Sequence, residues 1–293
     1  MFDGLLYFPV TAFDREGRID LAAYRAHLRE RLPAGAAAVF ACCGTGEFFS
    51  LDLEEYAGCV AVAVEEAAGR MPVFAGTGYG LALARRFAEA AERAGADGLL
   101  ALPPYLADGG PDGLRAHYTG LARATGLDVI LYQRDQAVFT PDVVADLAEE
   151  PNIVGFKDGR GDLELMQRII GAAPGLTYFN GMPTAEMSAL PYRSIGVTEY
   201  SSAVYAFAPD IAMAFHTAYR TGDDELVVRL LHGFYRPLVE LRGRGRGYAV
   251  ALVKAGVRLE GRDVGPVRPP LAEPAAEHVE RLAEIVAAGR KLL

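Results

Sequence analysis

Short apolar runs alternate with stretches of helical spacing eight times before about residue 222, and this rhythm constrains the fold more than any other feature of the chain. The apolar runs cover residues 5–10, 37–43, 73–75, 98–102, 129–132, 153–157, 176–179 and 197–200. Between and after them come helical patterns at 20–31, 53–68, 82–94, 111–125, 141–149, 162–172, 184–194 and 209–219. Strands joined through helices run parallel, and strands apolar on both faces lie buried beneath those helices. Eight such units predict closure into an α/β fold of the (β/α)8 TIM barrel type, with an open doubly wound sheet as the alternative. Beyond residue 222 the alternation stops, and residues 224–241, 248–259 and 276–292 read as three further helices. The expected organisation is therefore a barrel over 1–222 carrying the site and a C-terminal helical region over 223–293. The connectors are the arginine and glycine run at 242–247 and the proline-rich 265–274.

Composition narrows the function. A net charge of −9 and a pI near 5.2 argue against nucleic acid as partner. No run approaches the roughly 20 apolar residues of a membrane span, and residues 5–10 lack the basic flank of a signal peptide. Cys42, Cys43 and Cys59 are odd in number and read as reduced thiols. A cytoplasmic protein is expected. The five histidines are scattered over helical stretches without ligand spacing, so no metal is expected.

In such a barrel the chemistry gathers at the C-terminal ends of the strands. The sixth run ends Gly155-Phe156-Lys157-Asp158-Gly159, and Lys157 is one of only three lysines, the others being Lys254 and Lys291 in helical stretches. Arginine stays protonated, whereas a buried lysine can release its proton and become a nucleophile. By period-2 alternation Ile130 and Tyr132 share one face of the fifth run, and Ile153, Gly155 and Lys157 share one face of the sixth. If both faces point inward, a phenol stands beside an amine, with Gly155 leaving room for the lysine side chain. That pair suits imine chemistry, the lysine attacking a ketone and the tyrosine moving protons. A core tyrosine beside a rim lysine is the plainer alternative. After the second run, Gly44-Thr45-Gly46-Glu47 could turn backbone N–H groups and a hydroxyl toward a carboxylate or phosphate, or could be a simple turn. The glycines of residues 76–80 (GTGYG) only half match a dinucleotide loop. Arg242, Arg244 and Arg246 read as a solvated connector from which one arginine could reach an anionic substrate or a neighbouring subunit.

These residues resemble the dihydrodipicolinate synthase and N-acetylneuraminate lyase superfamily. The similar stretches are residues 44–51 (GTGEFFSL), 132–137 (YQRDQA), 155–159 (GFKDG), 183–186 (PTAE), 200–204 (YSSAV), 247–250 (GYAV), 253–256 (VKAG) and 265–268 (GPVR). They spread over nearly the whole chain and look closest to the branch of dehydratases acting on 5-dehydro-4-deoxyglucarate. The resemblance implies Lys157 as Schiff-base lysine and Tyr132 as general acid and base. It implies an α-keto carboxylate at Thr45 and Gly46, with the backbone around Tyr200 and Ser201 closing the pocket. Tyr105 falls where relatives supply a relay tyrosine from an adjacent subunit, so a homo-oligomer, tetramer or dimer, is implied. The choice among keto acids is expected to rest on Gln133, Arg134, Gln136 and the Ser201 region, Gln133 and Gln136 standing where that branch usually has asparagine. The implied partner is a small anionic keto-sugar acid of glucarate and galactarate catabolism, handled without metal or organic cofactor. An aldolase or dehydratase of another α-keto acid, and a non-catalytic keto-acid sensor, remain as alternatives.

Overall fold

A computed structural model describes residue 2 and residues 4–293, and in it eight parallel strands close in chain order into a single barrel. The strands are β1 (Leu5–Tyr7), β2 (Ala36–Ala41), β3 (Val73–Thr77), β4 (Gly98–Ala101), β5 (Asp128–Gln133), β6 (Ile153–Asp158), β7 (Thr177–Asn180) and β8 (Glu199–Ser202). The helices that follow them are α1 (Leu21–Arg31), α2 (Leu53–Ala67), α3 (Leu81–Arg93), α4 (Gly110–Ala122), α5 (Pro141–Leu147), α6 (Leu163–Ala172), α7 (Ala189–Ser194) and α8 (Pro209–Thr221). Helix starts follow local chemistry. Asp52 accepts from the Glu54 and Glu55 amides while Glu55 reaches back to the Asp52 amide, and Asp162 accepts from the Leu165 amide.

Alternation along the strands sorts the core into two layers. Leu6, Phe40, Phe74, Leu100, Ile130 and Phe179 meet inside the barrel. Their strand neighbours, among them Tyr7, Val39, Ala75, Leu99 and Leu131, face outward onto the helices. Below the site the barrel is therefore a packed apolar plug, and only its C-terminal end is left open for chemistry.

Four local features depart from the sequence expectation. Between Val129 and Ile130 the β5–β6 register shifts, so that Val129 pairs with Ile153 and Ile130 with Gly155. Val154 is the extra residue: it packs on the inner cluster, and Ile153 joins the outer one instead of sharing the face of Lys157. Strand β8 lies two residues later than expected, because Ser201 and Ser202 pair with Leu6 and Tyr7 although their hydroxyls hid the strand. The expected helix at 184–194 divides into a 3-10 turn (Ala185–Ser188) and α7. The expected helix at 224–241 is broken by a π turn (Leu231–Tyr235) between α9 (Asp224–Leu230) and α10 (Arg236–Arg242).

Two more helices, α11 (Tyr248–Leu259) and α12 (Ala276–Arg290), complete the chain. Nine of the twelve residues of α11 are buried, so it packs as a core element. Its Lys254 ammonium lies 2.9 Å from the Glu47 carboxylate, both side chains fully buried, and donates to the Pro266 carbonyl at 2.7 Å. The second Glu47 oxygen accepts from the Arg268 amide at 3.0 Å, and the Arg268 guanidinium covers the Phe13 ring and pairs with Glu55. A Cβ on Gly265 would stand 1.7 Å from the Phe13 carbonyl oxygen, and its φ of +67° is one that side chains rarely adopt, so only glycine fits. Three separate sequence stretches, 44–51, 253–256 and 265–268, thus form one junction between the barrel mouth and the C-terminal helices.

Candidate active site

At the C-terminal end of the barrel lies a cavity of about 520 Å³. Lys157 reaches it from β6 and pairs in register with Tyr132 of β5. Only 5% of Lys157 is exposed. Its amine sits 4.4 Å from the centre of the Phe8 ring and 4.5 Å from that of Tyr132. Burial disfavours the ammonium and lowers its pKa to about 7, with the Arg134 charge adding in the same direction and Cys43 opposing it. The Tyr132 hydroxyl donates to the Gly181 carbonyl at 3.1 Å and accepts from Arg134 at 3.2 Å. Desolvation raises the phenol pKa, and the Arg134 charge pulls it partly back.

Glycines make this approach possible, but Gly155 is not the one that makes room for the lysine. A Cβ there would meet the Phe179 ring at 2.8 Å and the Thr177 carbonyl at 3.0 Å, because Phe179 fills the space below. Gly181, just after β7, has the role instead: a Cβ would fall 2.6 Å from Lys157 Cγ and 2.7 Å from Cε. Gly159 does the same for the phenol, a Cβ coming within 3.1 Å of the Tyr132 hydroxyl. Asp158 closes the strand end. It is fully buried, accepts from the Gln133 side chain and the Arg160 and Gly161 amides, and receives the Tyr192 hydroxyl.

The other expected site residues divide. Thr45, Arg134, Gln136 and Ser201 line the cavity, and Tyr105, 68% exposed, stands at its rim against Tyr79. Gly46 does not line it: it is buried behind the turn, its carbonyl accepting from Thr11 at 2.6 Å, with the Pro9 carbonyl and Cys42 backbone too close for a Cβ. The Tyr200 ring points away from the cavity, packing under α8 against Phe215 and Tyr219, because residues flanking Ser201 on β8 face the helices. Gln133 also turns outward, to Asp158 and the Phe139 amide, so the choice of substrate cannot rest on its side chain. Of residues 76–80, Gly76 serves a close strand approach, since a Cβ would lie 2.2 Å from the Cys42 carbonyl oxygen.

Two further charged side chains join the cavity: Glu186, to which no role is assigned from sequence, and Arg242, a member of the run from which one arginine could reach an anionic substrate. Glu186, 1% exposed, accepts the Ser202 hydroxyl, and burial raises its carboxyl to about 7. Arg242, the last residue of α10, lines the wall and donates to the Thr184 hydroxyl. Neither carries a local signal. Glu186 sits on the 3-10 turn and the π turn precedes α10, and both interrupt stretches that read from sequence as continuous helix. Together the cavity presents an amine poised between protonation states, a phenol held by a guanidinium, a second guanidinium and a carboxyl that burial favours as the acid. That set can bind an anionic carbonyl compound, form an imine and move protons.

Comparison with known proteins agrees with this geometry. The model of the dihydrodipicolinate synthetase family matches residues 1–289. The chain is 63% identical to a probable 5-dehydro-4-deoxyglucarate dehydratase of Streptomyces griseus subsp. griseus, over 99% of this chain and 92% of that protein. A relative of the same name in Streptomyces coelicolor is 62% identical over 99% and 94%. Among solved structures, dihydrodipicolinate synthase from Bacillus clausii superposes with a TM-score of 0.88 at 27% identity, covering 98% of this chain and 97% of that one.

Proposed function

The chain belongs to the dihydrodipicolinate synthetase family, and from that premise we propose that it is a Schiff-base-forming dehydratase that converts 5-dehydro-4-deoxyglucarate to 2,5-dioxopentanoate, water and carbon dioxide. The observation that carries the imine step is the Lys157 amine, buried between two aromatic rings beside the Tyr132 phenol. The names of relatives at 62–63% identity support the substrate.

Lys157 as the free amine attacks the C5 ketone, and loss of the carbonyl oxygen as water leaves a protonated imine. The imine acidifies C4–H, whose proton passes to Tyr132, and the resulting enamine expels the C3 hydroxyl, which leaves as water once protonated. What remains is an iminium conjugated through C4 and C3. Cleavage of the C1–C2 bond releases carbon dioxide and sends its electron pair through C3 and C4 to the iminium nitrogen. Protonation, tautomerisation of the C2 enol to the aldehyde and hydrolysis of the imine free the product and Lys157. Overall, a doubly charged acid and one proton give a singly charged acid, carbon dioxide and water. Arg134 keeps Tyr132 in place and favours its phenolate. Thr45 would bind the carboxylate next to the ketone, with Ser201 of β8 lining the same cavity. Tyr105 would be the relay tyrosine that one subunit of a homo-oligomer supplies to its neighbour, in an enzyme working in the cytoplasm on sugar diacids.

The test is incubation with 5-dehydro-4-deoxyglucarate, with carbon dioxide and 2,5-dioxopentanoate assayed together, and borohydride trapping mapped by peptide mass spectrometry. The adduct is expected on Lys157. An adduct on Lys254 or Lys291, or release of pyruvate without gas, would refute this reading.

A further inference from the structure

Arg242 has no part in the imine chemistry, yet it lines the same cavity. It is brought there by α10, from outside the barrel. A guanidinium offers five N–H donors, and the hydrogen bond Arg242 makes in this structure goes to Thr184 Oγ1. Thr184 is held at φ 54°, in the left-handed region uncommon for a β-branched residue, so the partner that fixes the arginine is itself fixed under strain. The acid that acts on Arg242 electrostatically is Glu186, but that carboxyl accepts the Ser202 hydroxyl and forms no ion pair with the arginine. Arg134 also faces the cavity and repels Arg242, and burial works against the Arg242 charge as well. Two guanidinium groups facing one partly dry cavity of about 520 Å³ make a site that an anion would stabilise.

We propose that Arg242 is the specificity-determining residue for a dicarboxylate, pairing with the carboxylate at the end of the substrate remote from the imine. This rests on the imine reading above. There the remote group is C1, the carboxylate that leaves. Ion pairing stabilises a carboxylate and not carbon dioxide, so Arg242 serves recognition and does not assist the cleavage. Its loss falls on KM and leaves kcat largely in place.

The experiment compares the diacid with 3-deoxy-2-ketogluconate, which carries a hydroxymethyl group in place of the remote carboxylate. The half-saturating concentration for borohydride trapping at Lys157 is measured for both acids with the wild type, R242M and R242K. In R242M the diacid should need a concentration about 10-fold or more higher, the scale of a lost charge-assisted pair, while the monoacid is unchanged. R242K should keep an intermediate preference. Carbon dioxide release from saturating diacid should not fall more than about threefold below wild type, because a pair made with the carboxylate and not with carbon dioxide gives the cleavage step no help to lose. Retained trapping of the monoacid shows that the variant is folded. Adducts with an unchanged ratio of the two acids, or equal weakening of both in R242M and R242K, would overturn the role of Arg242 alone. No adduct with either acid in the wild type would overturn the imine reading and this proposal with it.

Discussion

On the proposed reading the Lys157 amine attacks a ketone only after losing its proton, so the burial that desolvates it beside the Phe8 and Tyr132 rings would also set the pH at which it works. With its pKa lowered to about 7 from the ordinary 10.5, the neutral fraction grows as pH rises and is nearly complete by about pH 8. Pre-steady-state trapping at saturating keto acid should therefore rise between about pH 6 and 8 and then level off. A rate still climbing toward pH 10 would show that burial does not depress this amine. Lys157 and Tyr132 were legible in the sequence because strand alternation and a scarcity of lysines are local facts. Gly181 was not, since its need for a missing side chain exists only where β7 crosses the lysine stem. Arg242 was visible only as one member of a charged run, and nothing local distinguishes it from Arg244 and Arg246, which stay exposed.

Among the elements, the junction of the β2–α2 turn with α11 depends on one buried ion pair. Glu47 and Lys254 are both fully buried, and removing one charge leaves the other without compensation. Lys254→Met is expected to destabilise the protein by about 3–5 kcal/mol, the range for breaking a buried pair. The double variant Glu47→Gln, Lys254→Met should recover much of that loss. Thermal and urea unfolding of the three proteins would check this, and a single variant as stable as wild type would show that the pair is not what holds α11. Element order was legible because the apolar rhythm repeats. Element ends were less so. The β6 bulge, the shift of β8 and the π turn each follow from pairing or packing partners far away in the chain. From sequence the 44–47 stretch reads as an anion cradle or a simple turn, whereas the Glu47 carboxylate faces an amine more than two hundred residues later.

On the scale of the whole molecule, the barrel and the C-terminal helices share one core. Residues of α8, the π turn and α11 join the outer apolar layer of the barrel in a single cluster. Cutting the chain after residue 222 would strip that layer and leave Glu47 and Glu186 without the groups that α11 and the π turn set against them. Such a fragment is expected to be insoluble or to lose cooperative unfolding, as followed by circular dichroism and sedimentation. A fragment that melts cooperatively would make the barrel an independent folding unit. The site spans the chain as well. Phe8 comes from the segment after β1, Lys157 from the middle, and Arg242 and Val253 from the C-terminal helices. Synthesis runs from one end to the other, so a ribosome that has finished the eighth strand has not yet made the amine that pairs with Glu47 or the arginine that lines the cavity wall. The cavity thus gains its full lining only after α11 and the segment that follows it have been made. A product that stops before α10 carries Lys157 without the arginine and the apolar residues that α10 and α11 bring to the same cavity.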